Sequence, residues 1–110
     1  MFHTYAEFRT QGYVGKITAL GKALKIAVAD TQKWTDRQTG EKREKTNWNT
    51  LTLFDSAAAF DWVKGNLKVG DLVYATGTLA ETSYEKDGVT QYGVTLRAET
   101  VAVVPTGKGE

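Results

Sequence analysis

The chain has no cysteine and a single histidine, His3. Disulfides and thiolate chemistry are therefore excluded, and the redox compartment is not legible. A lone histidine beside a chain end also leaves no His/Asp/Glu set at metal-ligand spacing. Neither a nucleophile elbow nor a Gly-rich phosphate loop occurs. The expectation is a protein without catalysis, metal or cofactor. No apolar run approaches the roughly 20 residues of a membrane span, so no membrane role is expected. The opening "MFHTYAEFRT" lacks a basic segment followed by an apolar one, which argues against a secretory signal and for the cytoplasm. Charge of one sign is missing too: 14 basic and 13 acidic residues leave a net +1. Any polyanion would have to be held by a local concentration of charge, because the global field is weak.

What is present is ordinary in bulk: 110 residues, 41% hydrophobic and 25% charged. That is one domain with one small core, expected over residues 1–105, with "TGKGE" (106–110) as a short flexible tail. Strand patterns dominate. A polar and aromatic run from Tyr5 to Ile17 contains Gly12 and Gly15, which suggest a bulge or bend. "ALGKA" turns the chain at Gly21. Leu24, Ile26 and Val28 then alternate on one face of a second strand. The polar run Gln32–Lys45, turning at Gly40, predicts a long hairpin arm leading into a third strand, Thr46–Phe54.

One helix is predicted after it. Asp55 or Ser56 supplies a cap, and Phe60, Val63 and Leu67 fall at helical spacing. Trp62 lies off that stripe and reads as a cover for the barrel end. A turn at Gly70-Asp71 opens a fourth strand, Leu72–Leu79, and Asp87-Gly88 suits a two-residue type I′ turn. The last strand, Tyr92–Val104, changes its apolar parity near 98–100, which predicts a second bulge. This order makes the fold all-β: a five-stranded Greek-key barrel of the oligonucleotide/oligosaccharide-binding (OB) type, with one short helix between strands three and four.

The third strand raises a specific question. In "TNWNTLTLF", Asn47, Asn49, Leu51 and Leu53 share one face, and Trp48, Thr50, Thr52 and Phe54 the other. Barrel interiors take bulky residues, so either aromatic alone fits a core. Leu51 and Leu53 already claim the interior, however, which puts Trp48 and Phe54 outside, roughly 20 Å apart at about 3.3 Å per residue. Trp34 stands at the mouth of the arm and Tyr84 at the base of the Asp-Gly hairpin. In an OB barrel these strands and loops line the ligand groove. There, aromatic faces stack bases regardless of sequence while cations neutralise phosphates. Lys33, Arg37, Lys42, Arg43 and Lys45 supply the cations, set against Asp36, Glu41 and Glu44. By composition alone, that arm equally reads as a solvated loop of mixed charge.

The segment "VADTQKWTDRQTGEKREKTNWNTLTLF" resembles the central part of bacterial and phage single-stranded DNA-binding proteins, and "NLKVGDLVYATGTL" continues the likeness. The resemblance implies stacking by Trp34, Trp48, Phe54 and Tyr84, the last where a Trp is common. It also implies a DNA-gripping role for the five arm cations. The implied function is sequence-independent binding and protection of single-stranded DNA in replication, recombination or repair, near the nucleoid. The implied assembly is a homo-oligomer, a tetramer first and a dimer second. Three features depart from the pattern. "ALGKA" is a short first hairpin, Asn49 stands where a His often makes a subunit contact, and the chain stops at "PTGKGE" without the acidic protein-recruiting tail. Three other readings stay open on residues alone. One is an OB module that assembles a primosome-type complex. A second is a barrel nuclease, which needs a carboxylate-bound metal. The third is a carbohydrate-binding barrel, against which the basic arm argues.

Overall fold

The computed structural model describes residues 2–105. Five strands follow the sequence pattern: β1 (Glu7–Ala19), β2 (Ala23–Thr35), β3 (Lys42–Phe54), β4 (Leu72–Lys86) and β5 (Val89–Val103), with helix α1 (Phe60–Asn66) between β3 and β4. They close in the order β1-β2-β3-β5-β4, with β4 returning to β1. The β3–β5 pairing is parallel, through Leu51 with Leu96 and Thr52 with Arg97; the other pairings are antiparallel. This is the OB barrel that the element order predicts. The predicted tail, 106–110, lies outside the described residues.

Period-two patterning fills the barrel. Leu24, Ile26 and Val28 from β2 meet Leu51 and Leu53 from β3, and Val73 and Ala75 from β4 join them. Phe60 and Val63 of α1 and Leu67, its C-cap, join the cluster, at the helical spacing expected for them. Trp62 is half exposed and stands outside that cluster.

Both predicted bulges exist. On β1 the register slips between Val14 and Lys16, which leaves Gly15 as the extra residue. On β5 it slips where Thr76 faces Thr100 and Gly77 faces Ala98, so Glu99 is extra. Asp87 and Gly88 both have positive φ, 54° and 78°, as a type I′ turn demands. Because that turn is tight, β4 and β5 run out to Lys86 and Val89, further than their apolar patterns reach.

The helix start differs from the prediction. Residue Ala59 is the N-cap and makes no side-chain cap bond. Asp55 is held elsewhere: its N–H donates to the Lys22 carbonyl (2.9 Å), tying the end of β3 to the β1–β2 turn. Turn bonds from Ala57 to Phe54 and from Phe60 to Ala57 use the intervening residues before the helix begins.

Candidate nucleic-acid interface

The register of β2 against β3 fixes which side chains share a surface. Lys25, Ala27, Ala29, Thr31 and Lys33 face Thr52, Thr50, Trp48, Thr46 and Glu44 respectively. This is the outer face of the barrel, since Leu51 and Leu53 on the other parity are fully buried while Trp48 is 59% exposed. The partners of Trp48 explain how it sits there. Its direct neighbour is Ala29, and its ring reaches across to the backbone of Gly15 on β1, where an added Cβ would collide with it. A small residue and a bare bulge thus make a floor for the indole, and any side chain at Gly15 must displace the ring. Phe54 is half buried on the same face.

The arm continues both strands beyond the barrel. Lys33 faces Glu44, Trp34 faces Arg43, and Thr35 faces Lys42. Trp34 therefore belongs to the opposite pleat face from Trp48, alongside Arg43 and Lys45, while Lys33 and Lys42 share Trp48's parity. An elongated ligand touching both tryptophans has to cross the arm, not simply lie along one side. Trp34 is 47% exposed and borders a shallow depression of about 440 Å³ lined by Lys33, Thr35, Lys42, Arg43 and Glu44.

At the tip, Asp36 organises the turn. Its carboxylate accepts from the Gln38 N–H (2.8 Å) and Thr39 N–H (3.3 Å), and its carbonyl accepts from the Gly40 N–H (2.8 Å). Gly40 takes φ 74°, a region that other residues enter at a cost. Arg43 is engaged here: it lies 3.5 Å from Asp36 and 3.4 Å from Glu41. Among the described residues, Lys33, Arg37, Lys42 and Lys45 have no ion-pair partner.

The fourth predicted aromatic, Tyr84, is 60% exposed on the β4–β5 hairpin opposite Gln91. Its pleat face leads down through Thr82, Ala80 and Thr78 to Arg97, the partner of Thr78. Arg97 was not foreseen as a site residue. Its guanidinium lies 4.8 Å from the Phe54 ring centroid, within cation–π reach. Lys25 was also missed; its ammonium donates to Thr52 Oγ1 at 2.9 Å. Neither residue lies in the basic run, and only the strand register brings them to either side of Thr52. Among the described residues, no group of His, Asp and Glu is placed to hold a metal ion, and no helix is long and apolar enough to cross a membrane.

Residues 11–104 match the model of the single-strand binding protein family. The chain belongs to that family. A single-strand binding relative, the single-stranded DNA-binding protein 1 of Xylella fastidiosa, is 33% identical over 75 residues, which cover 67% of this chain and 54% of that protein. The chain thus spans about half the length of the relative it matches. Among solved structures, a Plasmodium falciparum SSB in complex with single-stranded DNA superposes with a TM-score of 0.77 at 20% identity, over 96% of this chain and 99% of that one. The small single-stranded DNA-binding protein of Streptomyces coelicolor gives 0.66 at 18%, over 93% and 96%. At such identities the likeness establishes the shared barrel.

Proposed function

We propose that this single-strand binding family member binds single-stranded DNA without regard to sequence, stacking bases on Trp34, Trp48, Phe54 and Tyr84. Lys33, Arg37, Lys42 and Lys45 meet phosphates, and Arg43 does so at the expense of its contacts to Asp36 and Glu41. The observation that carries this reading is Trp48: a large aromatic 59% exposed, on a strand whose opposite face is fully buried at Leu51 and Leu53. A core aromatic would be covered, and an idle surface position has no need of the cleared floor at Ala29 and Gly15. The protein acts by occupying the strand and needs no cofactor. Its place is on the single strands exposed during replication, recombination and repair, at the nucleoid. Fluorescence anisotropy of labelled oligo-dT tests the reading. Unlabelled oligo-dA and oligo-dC should compete to similar extents, and duplex of equal length should compete poorly. Preferential competition by duplex would refute it.

Phosphate contacts supply the salt dependence, with a slope of roughly −0.7 in log affinity against log salt per neutralised phosphate on a single strand. Among the described residues Arg37 has no acidic partner to leave, whereas Arg43 has two. We expect Arg37→Gln to flatten the slope by about 0.7 and Arg43→Gln to flatten it by less. Oligo-dT titrations across a salt series check this. Equal slopes in wild type and Arg37→Gln would mean that Arg37 does not touch phosphate.

Self-association belongs to the same proposal, with a tetramer expected before a dimer. Its support is the unsatisfied edge of β1. That strand pairs with β4 over Glu7–Tyr13 and with β2 only over Tyr13–Ala19, so among the described residues its first half has a ladder partner on one side only. Open edges invite strands from another copy. Light scattering at micromolar concentration should return a multiple of the 12.1 kDa chain mass; a monomer would contradict it.

A further inference from the structure

Outside the arm, the outer wall carries a second, smaller set of cations. Thr52 pairs with Lys25 on β2 and, in parallel, with Arg97 on β5. These three residues form one row across three adjacent strands, with neighbouring strands about 4.8 Å apart. Thr52 is the one buried polar residue among those described, at 4% exposure, although it belongs to the outer face. Lys25 and Arg97 flank it, and the Lys25 ammonium donates to its hydroxyl. Arg97 is exposed and rests over Phe54. No carboxylate lies within ion-pair distance of Lys25 or Arg97 among the described residues. Two cations without acidic partners among the described residues flank Thr52, and one of them, Arg97, lies against the half-buried Phe54; the pair suits a ligand that is both planar and anionic. A guanidinium stacked on a ring still has N–H donors free at its rim.

We propose that Lys25 and Arg97 form a second phosphate-binding row on the barrel wall, independent of the arm. In this row Arg97, held over Phe54, carries the phosphate of a nucleotide whose base lies at that ring. The row links the Trp48–Phe54 surface to the face of the β4–β5 hairpin that carries Tyr84, because Arg97 shares pleat parity with Tyr84. The inference rests on the single-stranded DNA reading above.

Oligo-dT binding measured by anisotropy across a salt series tests it, with circular dichroism to confirm folding. The double variant Lys25→Gln/Arg97→Gln, with the arm intact, should lose affinity and flatten the log–log slope by about 1.4, two phosphates at about 0.7 each. The charge-keeping pair Lys25→Arg/Arg97→Lys should retain the slope. Should the double variant fail to fold, Arg97→Gln alone carries the test, since its side chain is exposed, with half the change in slope. If the wild type binds and the glutamine variants keep its slope and affinity, the row is not a phosphate site and the wider reading stands. If the charge-keeping pair loses as much slope as the glutamine pair, wall geometry is responsible and the proposal falls. Absence of oligo-dT binding by the wild type would overturn the wider reading and this inference together.

Discussion

Trp48→Ala should weaken oligo-dT binding by about 1–3 kcal/mol, a loss of roughly 5- to 150-fold, while leaving the melting temperature nearly unchanged. The indole is 59% exposed, its neighbour is Ala29, and its edge lies over the bare backbone of Gly15. Truncating it removes a stacking platform but opens no cavity, because solvent already reaches the site. Oligo-dT affinity and thermal unfolding of the same preparation, measured side by side, give both halves of the expectation. A variant that unfolds, yet binds normally per folded molecule, would place Trp48 in the core.

Leu51→Ala should do the reverse. Leu51 is fully buried, three residues along the same strand, among Leu24, Ile26, Val28 and Val73. Replacing a buried leucine by alanine loses transfer free energy and leaves a cavity, which together cost about 2–5 kcal/mol. For a domain of this size total stability is on the order of 5–15 kcal/mol, so the loss is a large fraction. Denaturant unfolding should show a lower midpoint with little change in slope, and affinity per folded molecule should stay near wild type. An unchanged midpoint would mean that Leu51 is not a core contact and that the two faces of β3 are assigned the wrong way round.

That pair of opposite outcomes turns on a parity legible in nine letters. "TNWNTLTLF" places Leu51 and Leu53 on one face and Trp48 and Phe54 on the other, and the barrel buries the leucines. The Asp87-Gly88 turn and the two bulges were equally legible, because each depends on local chemistry or on a break in a period of two. The helix start was not. Asp55 looks like a cap in isolation, but its backbone is committed to Lys22 across the β1–β2 turn, a contact that no local pattern encodes. The strand ends of the β4–β5 hairpin ran past their apolar patterns for a related reason: a tight turn forces pairing on residues that bury nothing.

The candidate site divides along the same line. Its aromatics and basic arm announce themselves by type and spacing. Their relative placement does not: Trp34 faces Arg43 on one side of the ribbon, while Trp48 faces Ala29 on the other. Nor does Arg43's engagement with Asp36 and Glu41, which only the folded tip creates. Lys25 and Arg97 lie 72 positions apart in the chain and come to flank Thr52 only through the pairing of β3 with β2 on one side and with β5 on the other. Residues that converge through a parallel, non-local pairing leave no signature in a linear reading.

The central claim is that exposed aromatics on this barrel stack the bases of a single strand. Intrinsic tryptophan fluorescence reports on it without a label, because Trp34 and Trp48 are 47% and 59% exposed and sit in the proposed track. Titration of the wild-type protein with oligo-dT should quench the emission to a saturating plateau, and duplex of equal length should leave it almost unchanged. Equal quenching by duplex, or binding of oligo-dT with no change in emission, would contradict the account.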